Sequence, residues 1–239
     1  MSNFPFQRLQ NDLAALIAKT SAGERLPSEP ALSKQLGVSR ATLRDAMRMF
    51  EVQGRIRRRQ GSGTFVVGQL PAMDNGLEVL ESLETMAKRI GLEVSVSDLQ
   101  VEQVPANAEL ASGLNIEQGV RLTRIRRVIR EDGRPIAYLV DTLPDDFLKP
   151  SDLPISFKGS VLDFLIERGD PLTVSRAAIS AIGAVADVAK PLEIQRGDVL
   201  LQFSSQLFIA DGRVADYSVS YFIPGYFNFH VVRRVGNSS

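Results

Sequence analysis

The 239-residue sequence predicts a two-domain α+β protein, with a small head of three helices and a hairpin followed by a larger body on an antiparallel sheet. Three observations lead there. Apolar residues recur at helical spacing as far as Gln53, whereas strand-like alternation dominates from Leu92 onward. Two Asp-Gly pairs, Asp132-Gly133 and Asp211-Gly212, lie between such alternating runs, and this dipeptide is a strong hairpin signal. Charge divides at the same place: residues 1–68 hold 11 Lys/Arg against 5 Asp/Glu, net +6, and the remaining 17 basic and 23 acidic residues leave the rest at −6. A basic head on an acidic body suits contact between the head and a polyanion, although chance clustering of solvated charge gives the same count.

Composition narrows the chemistry. With no cysteine and one histidine, His230, the chain can form neither a disulfide scaffold nor a thiolate or histidine-rich metal site. Any serine-histidine mechanism would have to run through His230, whose neighbours Phe229, Val231 and Val232 mark it as a packed strand residue. Gln60-Gly61-Ser62-Gly63 is too short for a phosphate-binding P-loop and leads into no helix, so no cofactor is implied. No apolar run is long enough for a membrane helix, and the first residues lack the order of a signal peptide. Cytoplasmic residence is expected.

In the head, Leu9, Leu13, Leu16 and Ile17 place a first helix over residues 6–19. Ser28 is positioned to cap a second helix, with Glu29 and Pro30 in its first turn and Gly37 at its end. Ser39 then caps a third over Arg40–Gln53, completing two helices joined by a tight glycine turn, a helix-turn-helix. On a wheel of 100° per residue, Leu43, Ala46, Met47 and Phe50 share an inward sector, while Arg40, Arg44 and Arg48 form a separate ridge. Such a ridge suits phosphates and guanine edges in a major groove, or else is a solvated arginine face. After Gly54, Arg55–Arg59 and Thr64–Val67 read as a two-stranded wing whose tip is Gln60-Gly61-Ser62-Gly63.

The segments LPSE, GVSRATLR and GSGTFV resemble, in order and spacing, the winged-helix DNA-binding domain of the GntR family of bacterial transcription regulators. The resemblance implies that Ser39, Arg40, Thr42 and Arg44 lie at the major groove, that Ser28 and Glu29 start the supporting helix, and that Gln60 and Gly61 sit at the wing tip. Arg48 and Arg59 extend the expected DNA-binding set. One departure is Pro30, where several members carry an arginine that touches the DNA backbone; Arg57–Arg59 are the candidates to supply that contact.

A linker composition over 69–76 separates the head, 1–68, from the body, 77–235. The body begins with a helix expected over Leu77–Ile90. Strands follow at Leu92–Val104, Val120–Arg130, Arg134–Leu143, Leu172–Ala181, Val199–Ala210, Arg213–Phe222 and Tyr226–Arg234, with short helices at Ala106–Ser112, Ser160–Arg168 and Ala184–Ala189. Alternation puts Arg124 and Arg126 on the face shared with Leu122 and Val128. Guanidiniums among apolar neighbours need an anion. A bound ligand, a pair with Asp141, or simple solvation would each satisfy them.

Through TRIR, DGRPIAYL, GSVLDFL and LEIQRGDVLL, residues 77–235 resemble the effector domain of the HutC subfamily of GntR regulators, which is chorismate-lyase-like in fold. The resemblance implies a homodimeric repressor bound to palindromic double-stranded operator DNA and released by a small anionic metabolite. The effector pocket would comprise Ser82, Arg124, Arg126, Asp141, Ser160, Tyr217, Phe222 and Phe227. Leu139 stands where many members have a glutamate, and aromatics replace an arginine-containing ending after Phe222, which suggests an effector less hydroxylated than an amino-sugar phosphate. The alternative is a lyase-like enzyme tethered to DNA by its head. A nucleic-acid binder without a ligand would leave the sheet domain unexplained.

Overall fold

The computed structural model describes residues 4–59, 62–67 and 73–231. In chain order the elements are α1 (Phe4–Lys19), α2 (Glu29–Leu36), α3 (Arg40–Val52), β1 (Ile56–Arg59), β2 (Gly63–Val66), β3 (Met73–Gly76), α4 (Leu83–Arg89), β4 (Val94–Pro105), α5 (Ala108–Leu114), β5 (Arg121–Glu131), β6 (Arg134–Pro144), α6 (Val161–Arg168), β7 (Leu172–Gly183), α7 (Ala186–Ala189), β8 (Val199–Ile209), β9 (Val214–Phe222) and β10 (Phe227–His230). They divide into two compact units. One runs from the N-terminal residues through Asp74 and includes Pro224–Asn228; the other holds Asn75–Ile223 and the stretch from Phe229.

The head's helices start and stop where local chemistry demands. Ser28 Oγ accepts the Ala31 amide at 3.4 Å, and Ser39 Oγ accepts the Thr42 amide at 3.1 Å, each satisfying a donor that the first helical turn leaves open. Gly37 closes α2 at φ 66°, a left-handed conformation that glycine adopts without a steric penalty. Leu43, Ala46, Met47 and Phe50 then pack on Leu9, Leu13, Ile17, Leu26, Leu32, Ile56 and Val66, while Leu16 is only partly buried. Strands β1 and β2 pair antiparallel from Ile56↔Val66 to Arg59↔Gly63. A third segment joins them: the Leu26 amide donates to Thr64 O at 2.8 Å and the Val66 amide to Glu24 O at 2.9 Å. The expected tip residues Gln60 and Gly61 lie outside the described residues.

The body is a six-stranded sheet in the order β4-β5-β6-β9-β8-β7, every neighbouring pair antiparallel. At the β5–β6 turn Asp132 and Gly133 both take positive φ, 47° and 75°, as a type I′ hairpin requires. Helices cover both faces. Leu110, Ala111 and Leu114 of α5 pack with Leu122 and Val214; Val161 and Leu165 of α6 pack with Ile125, Leu143 and Leu207 on the other side.

The structure departs from the sequence expectation over residues 77–90. The helix begins only at Leu83, where Ser82 Oγ accepts the Thr85 amide at 2.9 Å. Upstream, Leu77, Val79 and Leu80 are exposed apolar side chains in a non-helical stretch, so their helical spacing misled. Residues 73–76 of the expected linker form β3, which pairs with β10; 69–72 lie outside the described residues.

Candidate functional site

On the head, the exposed end of α3 presents Ser39 and Arg40, with Thr42 half-buried behind them. The Ser39 and Thr42 hydroxyls share a hydrogen bond of 2.8 Å. Arg44 is exposed, and its Nε donates to Glu29 Oε2 at 2.7 Å, joining α3 to the start of α2. Arg48, one turn further on, is half-buried. The wing adds cations that the helical wheel could not place. Arg58 pairs with Glu51 at 3.4 Å and donates to the Arg44 carbonyl at 3.4 Å, while Arg59 lies exposed over the Phe65 ring at 5.2 Å. Gly63 has φ 110°, and a β carbon there would collide with the Arg25 guanidinium. Ser28, Ser39, Arg40 and Arg44 are all exposed, and Glu29 and Arg58 touch the Arg44 side chain and carbonyl, respectively.

On the body, the eight residues expected at one pocket fall in four places. Ser82, Asp141 and Phe222 line a cleft of about 630 Å³ with Arg127, Leu139 and Asp216. Arg124, Arg126 and Tyr217 line a different hollow of about 660 Å³, with Tyr138 and Tyr221. Ser160 borders a third, where its Oγ accepts the Asp163 amide at 3.3 Å and caps α6. Phe227 is buried and belongs to the stretch that groups with the head unit. Alternation explains the main split. Even-numbered residues of β5 face one side and odd-numbered ones the other, and the β6 register pairs Arg126 with Val140 but Ile125 with Asp141.

The anion that Arg124 and Arg126 require is in the chain. Glu102 Oε1 lies 2.8 Å from Arg126 Nη2 and 3.7 Å from Arg124 Nη1. The internal pair with Asp141, one of the alternatives for these arginines, is made instead by Arg127 from the opposite face.

Arg127 is the electrostatic centre of the cleft floor. It is 5 % exposed; Nη1 donates to Asp141 Oδ2, and Nε lies 3.8 Å from Glu84 Oε1. Burial opposes its charge, but Asp141 and Glu84 outweigh that and hold the guanidinium above its ordinary pKa. Glu84 itself is raised, by desolvation that exceeds the attraction of Arg127. Asp216, which accepts the Thr142 amide at 3.0 Å, is pushed well above the usual carboxylate range by burial and by neighbouring Asp141. A raised carboxylate stabilises the fold fully below its unfolded pKa, and that contribution is lost as pH rises through the folded pKa. Asp216→Asn, which keeps a donor toward Asp141, should therefore raise the melting temperature more at pH 8 than at pH 5. Equal shifts at both pH values would show that Asp216 is ionised in the fold.

Gly159 steers the arginine. Its φ is 104°, and a β carbon there would lie 2.8 Å from Arg127 Cδ. Gly159→Ala should cost about 1–2 kcal/mol from backbone strain alone, measured by urea unfolding. At α4, Ser82 Oγ donates to Asp163 Oδ2 at 2.7 Å, tying the cleft's edge to α6. His230 is not among the residues lining the cleft, and among the described residues no cluster of three His, Asp or Glu is placed to hold a metal ion. No helix among them is long and apolar enough to cross a membrane.

Comparison with known proteins agrees with this division. Residues 6–66 match the family described as bacterial regulatory proteins, gntR family, and residues 89–228 match the UTRA domain. A histidine utilization repressor of Pseudomonas aeruginosa is 30 % identical over 205 residues, covering 84 % of this chain and 78 % of its own length. The repressor NagR of Bacillus subtilis is 28 % identical over 198 residues, covering 82 % and 79 %. The crystal structure of PhnF from Mycobacterium smegmatis superposes with a TM-score of 0.65 at 21 % identity, over 95 % of this chain and all of that one, which establishes the shared fold. With a winged helix-turn-helix head and an antiparallel-sheet body each matched to its own family, the chain belongs to the GntR family of bacterial transcription regulators, in the HutC subfamily that carries a UTRA domain.

Proposed function

We propose that this protein is a cytoplasmic, homodimeric repressor whose heads bind a palindromic operator and whose 630 Å³ cleft takes the effector that releases it. The observation that carries the reading is the exposed start of α3, where Ser39, Arg40 and Arg44 project from a helix held by its own caps. Oriented amides at that terminus favour a phosphate, and the arginine fork fits a guanine edge. The family and its named relatives are transcription regulators, and the lyase-like enzyme is set aside.

The dimer is supported by β7, a twelve-residue edge strand. It exposes Val174 and Ile179, and such an edge is a ready partner for a second chain. Two heads would span half-sites about 34–36 Å apart. An effector acts only through different affinities for the DNA-competent and released arrangements.

Selection of bound fragments from the source genome, followed by fluorescence anisotropy on the recovered duplex, tests the reading. Affinity should fall steeply with salt, with a log–log slope of about −0.9 per phosphate contacted. Absence of preference over random duplex in dilute buffer would overturn it. Because Arg126 is already paired with Glu102 away from the cleft, Arg126→Ala should leave operator release by effector within about twofold of wild type. A lost response would move the effector to the hollow behind the sheet.

A further inference from the structure

We propose that the cleft selects a cationic effector, an amine or amidine carried on an apolar or aromatic body, in place of the anion expected from the sequence. This rests on the cleft being the effector site. Among the described residues lining it, Arg127 is the one positive charge. That guanidinium is paired with Asp141 and faces Glu84, so an incoming phosphate or carboxylate would meet two carboxylates beside the one charge it seeks. Four carboxylates stand along the lining: Asp141 and Asp216 on the floor, and Glu78 and Glu81 in the approach, the last paired with Arg89 at 2.8 Å.

The remaining surface suits an ammonium with a hydrophobic tail. Ser205 and Ser218 are cross-strand partners, and Ser220 lies on the same face two residues beyond Ser218. With the Asp216 carboxylate they offer convergent acceptors, and an ammonium has three donors and no acceptor. Phe203, Phe222 and Phe229 cluster with ring centroids 4.7–5.0 Å apart, forming a wall on which an aromatic body stacks and over which a cation is attracted.

Charge balance adds a proton. The groups facing Asp216 are Arg127 from β5, Asp141 from β6 and, beyond Arg127, Glu84 from α4 and Asp163 from α6; β7 and β8 bring only hydroxyl and apolar side chains to the cleft. Asp216 favours its protonated form, because burial and the neighbouring Asp141 carboxylate oppose its ionisation. A bound ammonium ionises Asp216, and the proton leaves to solvent.

The test titrates full-length protein calorimetrically with phenethylamine, 2-phenylethanol, phenylacetate and phenyl phosphate in two buffers of different ionisation enthalpy. Wild type, Asp216→Asn and a cleft-filling Ser205→Phe are compared, with Ser218→Leu replacing the last if it fails to fold. Phenethylamine should bind roughly tenfold or more tightly than either anion, release protons, weaken roughly tenfold in Asp216→Asn and lose binding in the filled variant. Tighter binding of an anion that the filled variant abolishes would overturn the charge class and leave the cleft as effector site. Amine binding undiminished in the filled variant would overturn the cleft reading itself. No binding by any of the four up to about 10 mM would overturn the aromatic-cation class outright.

Discussion

Arg127→Met should destabilise the body by about 3–5 kcal/mol, the cost of removing one partner from a buried ion pair. Arg127 is almost fully buried, and its substitution leaves Asp141 without its counter-charge beside a second buried acid, Asp216. Methionine is chosen because it fills the space of the arginine stem, so the loss reports charge and hydrogen bonding more than a cavity. Urea unfolding of the full chain measures it. Adding Asp141→Leu to the variant should restore much of the stability, because a buried pair replaced by apolar groups is often close to neutral. A single variant as stable as wild type would mean that Arg127 is solvated and that the cleft's charge balance has been misread.

Most of this architecture was legible because local signals agree with the global fold. Ser28, Gly37 and Ser39 each occupy the capping position that their chemistry prescribes. Asp132-Gly133 closes the β5–β6 hairpin at Glu131↔Arg134, and past one bulge at Ile129/Arg130 the pairing runs on to Leu122↔Pro144. What alternation cannot supply is which face matters. With α5 on one side and α6 on the other, each parity of β5 carries two apolar residues, Leu122 and Val128 or Ile125 and Ile129, and Arg127 looks no different from Arg124 or Arg126. Only the cross-strand partners separate them. Glu102 on β4 pairs with the two even-numbered arginines, whereas Asp141 on β6 and Glu84 on α4 surround the odd one. Cleft-lining apolar residues mislead in the opposite way. Leu77 and Leu80 kept helical spacing with Leu83, yet they line the cleft ahead of a helix that Ser82 starts. The segment Glu24–Leu26, which bridges β2 at Phe65, carried no signal at all, because three residues are too few for any period to register.

Arg44→Ala should weaken specific operator binding by about 1–3 kcal/mol, the range for losing one well-placed guanidinium at a base edge. The structure makes the competition explicit. In the free protein Arg44 is tied to Glu29 by a contact of 2.7 Å, with the arginine side chain 56 % exposed. An exposed pair of this kind contributes about 0–1 kcal/mol, less than a bidentate contact with guanine, so DNA wins the guanidinium and Glu29 sets only a small tariff on its release. Glu29→Gln should accordingly tighten random-sequence binding slightly while eroding the preference for the operator, since a mobile arginine reaches phosphates as readily as bases. Anisotropy titrations on operator and scrambled duplexes separate the two effects, and melting temperatures should barely move, because neither side chain enters the head's core. If Arg44→Ala holds its operator as tightly as wild type, base reading belongs to Arg40 and the wing, and the ridge continuing to Arg48 serves only to pack and orient the helix.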